Sequence, residues 1–195
     1  MFAGNQELLD RVRSKRLLVA VCGGIAAYKV AGVVSTLAQA GAEVHVAMTA
    51  CATAFVGPLT FQALSGRPVF QGVLDQFDHA DPQHTRLASD LDGVLVAPCT
   101  MNMLAKLANG LADDAVSTLL AAIDRTKTPV VLAPSMNAAM WDQPATQRNL
   151  QTLTSDGYSL VSPGEGWQAC RTIGTGRLPE PDTLVEALAA AVSNV

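Results

Sequence analysis

A parallel α/β sheet is the fold class predicted by this sequence, on three observations. Two apolar runs rich in β-branched residues, Val94–Ala97 and Pro129–Ala133, each lead into a proline and a small polar loop. A helical pattern lies between them, with Leu104, Leu107, Leu111, Val116, Leu119, Leu120 and Ile123 available for burial. Earlier in the chain, the apolar runs Arg16–Val21 and Glu43–Met48 flank a second helical stretch and make a β-α-β unit. Sheets of this kind bind ligands outside the carboxyl ends of their strands. Here those ends carry Pro98-Cys99-Thr100-Met101-Asn102 and Pro134-Ser135-Met136-Asn137, alike enough to form two walls of one site.

The chain has 195 residues, which fits one domain with a substantial core. It is 49% hydrophobic but only 5% aromatic, so Ala, Val and Leu must fill that core. The net charge of −4 argues against a nucleic-acid surface, which needs a basic stripe. There is no apolar run of about 18 residues to cross a membrane. The first residues, MFAGNQELLDRVRSKR, lack the apolar segment of a signal peptide, and a cytoplasmic location is expected. Cys22, Cys51, Cys99 and Cys170 lie far apart and read as free thiols. No histidine falls at ligand spacing near them, so no metal is expected.

Along the chain, the first strand runs into Cys22-Gly23-Gly24-Ile25, with a helix continuing to about Gln39. Glycines there let a backbone approach a phosphate, and a helix N-terminus favours negative charge. A tight strand-to-helix turn with no ligand explains the same residues. Thr49–Phe55 reads as a further helix capped by Thr49, and Pro58–Ser65 as another closed by Gly66. Gln71–Pro82 is polar and acidic, a surface loop, followed by a short helix over His84–Asp90. Beyond Trp141 a helix over Pro144–Ser155 is closed by Gly157, and Tyr158–Val161 is a fifth strand. The glycine-rich segment 162–180 reads as a flap over the site, and an amphipathic helix follows over Thr183–Val192. Residues 1–15 form an N-terminal extension to a single domain spanning 1–195.

Several side chains suit chemistry. His84 lies in a polar lead-in to a helix, where it serves as a general base or is simply exposed. His45, within a strand, and His79, in the acidic loop, look structural. Cys170 sits between glycine-rich runs, a poor place for an inert core thiol, and Arg171 and Arg177 nearby favour its thiolate. The other cysteines follow apolar runs and suit the core. Asn102 and Asn137 can bind a carboxylate or a heterocycle edge, or cap the helix after each strand. Asp113-Asp114 reads as part of a solvated helix face or interface, with a metal site as the alternative.

Taken together, GGIAAYK (Gly23–Lys29), Met48-Thr49 with Phe55, ALSG (Ala63–Gly66), His84, PCTMN (Pro98–Asn102), PSMNAAMW (Pro134–Trp141) and ACRTIGTGR (Ala169–Arg177) resemble the flavin-dependent cysteine decarboxylases, in order and over nearly all of residues 15–192. The likeness is greatest to the branch acting in coenzyme A biosynthesis. It implies a flavodoxin-like (Rossmann-like) three-layer sandwich, assembled as trimers, trimers of trimers or dodecamers, with FMN between subunits. Gly23, Gly24 and Thr49 would hold the FMN phosphate. Cys99, Thr100, Met101, Asn102 and Ser135 would line the flavin. Asn137, with Met140 and Arg177, would bind substrate, and Glu165 and Arg177 suit a polar chain. The implied reaction turns 4'-phosphopantothenoylcysteine into 4'-phosphopantetheine. His84 would assist oxidation of the cysteine moiety to a thioaldehyde, carbon dioxide would leave to give an enethiol, and Cys170 would protonate it as the hydride returns.

The family pattern is not followed everywhere. Arg171-Thr172 replaces a usual glycine–acid pair, Met101 a common alanine, and Arg86 a usual acidic residue. Two alternatives follow: an oxidative decarboxylase of a peptide C-terminal cysteine, in which the flap cysteine is absent, and a non-catalytic FMN-binding regulatory subunit. Flavin prenyltransferases lack the PSMNAAMW and flap-cysteine patterns. A nicotinamide dehydrogenase is disfavoured because the second strand ends at Thr49 without a ribose-binding acid. Bacterial members usually carry a synthetase domain behind the decarboxylase. None follows within these residues, as in a monofunctional enzyme or part of a longer one.

Overall fold

A computed structural model describes residues 6–72 and 83–193. In chain order the elements are α1 (Gln6–Val12), β1 (Arg16–Val21), α2 (Ala27–Gln39), β2 (Glu43–Met48), α3 (Pro58–Ser65), β3 (Val69–Phe70), α4 (Gln83–Ser89), β4 (Gly93–Cys99), α5 (Met101–Ala108), α6 (Ala115–Ala121), β5 (Val130–Pro134), α7 (Ala138–Trp141), α8 (Pro144–Ser155), β6 (Ser159–Leu160), β7 (Gly164–Trp167), β8 (Ile173–Arg177) and α9 (Pro181–Val192). Six strands form one parallel sheet in the order β3-β2-β1-β4-β5-β6. Without the two-residue edge strand β3, this is the 2-1-3-4-5 order of flavodoxin-like sheets. The order reverses between β1 and β4, which opens a crevice beyond their carboxyl ends.

Alternation along the strands divides the core into two layers of packing. Leu17, Val19, Val21, Leu95, Ala97 and Val131 face α2 and α9, where Val30, Val34, Leu184 and Leu188 complete one cluster. Leu18, Ala20, Val94, Val96, Val130 and Leu132 face the other way, onto Met103, Leu104, Leu119 and Leu153 of α5, α6 and α8. Both faces are covered, so the central strands are apolar throughout, as parallel sheets require.

The structure departs from the sequence expectations at particular places. The expected helix at Thr49–Phe55 is a single 3-10 turn, Ala52–Ala54, although Thr49 Oγ1 does accept from Ala52 N–H at 3.3 Å. The helical stretch between β4 and β5 is two helices, broken at Gly110, which adopts φ +66° where a side chain would be strained. Leu111, expected in the core, is therefore exposed. The described part of the N-terminal extension is α1, and its Val12 is wholly buried in the core, so it belongs to the domain. The edge strand β3 was too short to show alternation. The 162–180 segment is a two-stranded antiparallel hairpin, β7 and β8, standing apart from the main sheet. Most of the acidic loop over Gln71–Pro82, including His79, lies outside the described residues.

Candidate active site

A cavity of about 780 Å³ opens at the carboxyl ends of the central strands. Its size suits a cofactor or a drug-sized ligand. Four strand-end loops and the hairpin wall it. Gly23, Gly24, Thr49, Thr100, Met101 and Asn102 line it from β1, β2 and β4. Ser135, Asn137, Met140, Cys170 and Arg177 line it from β5 and the hairpin. Eleven of the thirteen expected site residues are thereby brought together.

The first wall is built from close backbone approach. A Cβ on Gly23 would overlap Cys51 Cβ, so only glycine lets the loop after β1 touch the loop after β2. At Gly24 the nearest atom to such a carbon is 3.9 Å away, on Pro98. Helix α2 begins here at Ala26 with no side-chain cap. The two helices that start on the opposite wall are capped: Thr100 Oγ1 accepts from Met103 N–H at 3.2 Å, and Asn137 Oδ1 from Met140 N–H at 2.9 Å. The first N–H groups of a helix want an acceptor, and the helix dipole makes an anion a good one. Thus α2 presents its N-terminus to the cavity for a ligand to complete.

On the opposite wall, two expectations for the asparagines separate. Asn137 is an N-cap through Oδ1, whereas Asn102 lies one residue inside α5 and Thr100 does the capping. Cys99 is a correction. It is the last residue of β4, its side chain is fully buried among the residues beneath α5, and it does not line the cavity. Burial pushes its thiol well above the usual range. Only its carbonyl serves the site, accepting from Ser135 N–H at 3.0 Å and tying the β4 and β5 loops together. Cys22, in contrast, lines the cavity from a nearly buried position, and burial pushes its thiol to about 12. Cys51, expected in the core, is exposed.

His84 lies in the first turn of α4, but its side chain falls outside the described residues. None of residues 85–89 lines the cavity. His45 takes part in a surface ion network with Glu43 and Arg16 at the other end of the sheet.

Charge enters the cavity through Lys106, which sequence reasoning passed over, and through Asp114 and Lys29, to which it gave no part in the cavity. Lys106 lies between Asp113 and Asp114, 2.5 Å from each, and these hydrogen bonds raise its pKa. Asp114 also caps α6 through Val116 and Ser117 N–H, so the acidic pair fastens a helix junction. Among the described residues, no group of His, Cys, Asp and Glu could hold a metal. Lys29 reaches from α2 to the Leu178 carbonyl (3.2 Å) and to Glu180 (2.9 Å), which also pairs with Arg177 at 2.7 Å. The pairing of Lys106 with acids seven and eight residues later crosses a helix break, which periodicity alone cannot show.

The hairpin is docked over the cavity by its own backbone. Gly176 C=O accepts from Met136 N–H at 3.0 Å and from Ser135 Oγ at 3.3 Å. A Cβ on Gly174 would come within 2.7 Å of Ala138 Cβ, so the strand lies directly on α7. Gln168, nearly buried, donates to Gly174 and Thr175 carbonyls and accepts from Ala138 N–H. Cys170 is exposed at the hairpin tip, with Sγ 3.0 Å from Thr172 Oγ1 and 3.6 Å from Gln168 Oε1. The Thr172 hydrogen bond holds its thiol below the usual value, helped by Asn137. Arg171, in place of the usual glycine, takes the left-handed φ of +65° that a glycine adopts freely.

Comparison with known proteins adds the last observations. The sequence profile of the family described as Flavoprotein matches residues 5–193. The coenzyme A biosynthesis bifunctional protein CoaBC of Bacillus subtilis is 44% identical over 175 residues, covering 90% of this chain and 42% of that protein. Its Escherichia coli counterpart is 43% identical over 181 residues, 93% of this chain and 44% of that protein. The chain spans less than half the length of these curated relatives. Among solved structures, the FMN-dependent cysteine decarboxylase SpaF superposes with a TM-score of 0.79 at 33% identity, covering 95% of this chain and 99% of that one. A PPC decarboxylase cysteine-to-serine mutant complexed with pantothenoylaminoethenethiol gives 0.78 at 28% identity, covering 89% and 95%.

Proposed function

This chain belongs to the Flavoprotein family, and from that footing we propose that it is an FMN-dependent decarboxylase of 4'-phosphopantothenoylcysteine, forming 4'-phosphopantetheine for coenzyme A biosynthesis. The observation that carries the proposal is the hairpin thiol of Cys170, poised at the mouth of a cavity whose opposite end offers an uncapped helix N-terminus. An oxidative decarboxylase that stops at the enethiol has no use for that thiol. The curated relatives, named for coenzyme A biosynthesis, favour the same branch.

The cavity fits FMN. The uncapped start of α2, with Gly23, Gly24 and Thr49, would take the phosphate. Thr100, Met101, Asn102 and Ser135 would border the ring system and the ribityl chain. Bound FMN would supply a two-electron acceptor for the cysteine moiety and return the pair once carbon dioxide has left. The protein's share is orientation and proton transfer. Asn137 Nδ2, which faces the Cys170 thiol while Oδ1 caps α7, would donate to the substrate carboxylate, with Met140 also lining the cavity. Arg177, now paired with Glu180, would meet the phosphate of the substrate. His84 would accept the proton released from the cysteine moiety. The thiol of Cys170 would protonate the enethiol carbon.

Self-association into trimers or larger assemblies is part of the proposal. Ile25, Tyr28, Trp167 and Met140 are exposed large apolar side chains at the cavity, and exposed Ile173 pairs with Trp167 in the hairpin. Such a concentration marks an interaction surface. A neighbouring copy would then supply His84, whose helix contributes no described side chain to this cavity. No described helix is long and apolar enough to cross a membrane; a cytoplasmic location is part of the proposal.

The test is an anaerobic single turnover of the FMN-loaded protein with 4'-phosphopantothenoylcysteine, following flavin absorbance and product mass. Carbon dioxide release with oxidised flavin and 4'-phosphopantetheine is expected from the native protein. Cys170→Ser should release carbon dioxide but leave bleached flavin and the enethiol. Enethiol from the native protein would instead favour a peptide-cysteine decarboxylase, and no reaction would favour a regulatory subunit.

A further inference from the structure

The hydrogen bonds around Cys170 have only one consistent direction. Gln168 Nε2 lies 3.4 Å from the Gly174 carbonyl and 3.0 Å from that of Thr175, and only an amide nitrogen can donate to both. Its Oε1 must then be the acceptor, as the 3.2 Å contact from Ala138 N–H also requires. The 3.6 Å contact between Cys170 Sγ and that oxygen is therefore made by the thiol hydrogen. With its hydrogen so placed, the sulfur can only accept from Thr172 Oγ1, 3.0 Å away. Gln168 is nearly buried, so its carboxamide is fixed from four sides and the thiol inherits that orientation.

We propose that Gln168 and Thr172 are positioning residues for the Cys170 proton donor: Gln168 aims the thiol hydrogen, and the Thr172 hydroxyl supports the sulfur once the proton has gone. This rests on the assignment of Cys170 as the proton donor. In that step the S–H bond breaks, the proton passes to the substrate carbon, and the bond pair stays on sulfur. A hydroxyl already donating to that sulfur strengthens as the charge forms, because hydrogen bonds to ionised atoms are the stronger ones. The hairpin tip is exposed, with no cation bonded to the sulfur among the described contacts, so this hydroxyl is the main support at hand, with Asn137 assisting. Gln168 also joins the thiol to Ala138, the residue after Asn137, and so sets the proton donor in register with the proposed carboxylate ligand.

The experiment is the pH dependence of Cys170 alkylation by iodoacetamide in the FMN-loaded protein, quantified on the Cys170 peptide by mass spectrometry so that Cys51 does not interfere. Thr172→Val keeps the shape and removes the donor, so the alkylation midpoint should move to higher pH, and Thr172→Ser should restore it. In single turnover, Thr172→Val should slow conversion of the enethiol about tenfold, the worth of one hydrogen bond to a charged atom, with carbon dioxide release unchanged. Gln168→Leu should reduce enethiol conversion without moving the alkylation midpoint as Thr172→Val does. An unchanged midpoint in Thr172→Val, while Cys170→Ser still stalls at the enethiol, overturns the pairing and leaves the donor assignment standing. Normal turnover by Cys170→Ser overturns both.

Discussion

Replacing Gly176 by alanine should undock the hairpin and leave the rest of the domain folded. Gly176 has φ +129°, a conformation that costs an L-residue about 1–3 kcal/mol. Its new Cβ would also collide with the Met136 carbonyl and lie 3.2 Å from Gln168 Nε2. Relief requires the strand to lift, which breaks the 3.0 Å bond from Met136 N–H, worth about 0.5–1.5 kcal/mol net. That bond is lost from the lifted hairpin with or without the substitution, so the shift in the equilibrium between docked and lifted hairpin comes from the strain, about 1–3 kcal/mol or roughly 5- to 150-fold, and the collision adds to it. None of this reaches the main sheet, because among the described residues β7 and β8 pair as strands only with each other. Amide hydrogen exchange is the assay, since it resolves local from global opening. Protection over 164–177 should fall by that factor, while β1, β4 and β5 keep theirs. Unaltered protection in the hairpin, or equal loss across β1 and β4, would refute the reasoning.

Two further outcomes are expected. His84→Asn should keep bound, yellow FMN but lose decarboxylation, and normal turnover would remove His84 from the mechanism. For Asp114, burial raises the carboxyl pKa, but Lys106 and the Ser117 N–H outweigh it and hold the folded value below the unfolded one of about 3.9. Its stabilisation is therefore complete above about pH 4 and is lost as pH falls through the depressed value. Asp114→Asn keeps an equally good helix cap but loses this titration, so the gap in melting temperature between native and variant protein should shrink on acidification. Parallel curves would contradict the assignment.

The central sheet was legible because each main strand is an unbroken apolar run ended by a loop that cannot continue it. Arg16–Val21 and Glu43–Met48 lie in the structure just as the hydrophobic pattern places them, as does the helix Pro58–Ser65, framed by its proline and Gly66. What failed did so where sequence signals are degenerate. The single turn at Ala52–Ala54 contains residues that form helices elsewhere, and it packs closely against Gly23. Cys99 looked like a loop residue because it follows a proline, yet β4 runs on through Pro98 and turns the side chain inward. Most cavity residues could be named from their motifs. The partners that fix them could not, since Lys106 with Asp114 and Gln168 with Ala138 are joined only by the folded chain.

The hairpin stands between two fixed posts. At one root, Val161 N–H donates to Leu132 O at 2.9 Å; at the other, Leu178 is buried and its carbonyl is held by Lys29. A protease cut at the exposed tip, 169–172, would leave both halves anchored, and the nicked domain should elute intact. For the same reason, residues can be exchanged or inserted at the tip without disturbing the sheet beneath. The hairpin is thus a cartridge: the part that, in the proposed function, would meet the acyl chain and deliver a proton can be rewritten separately from the cavity floor.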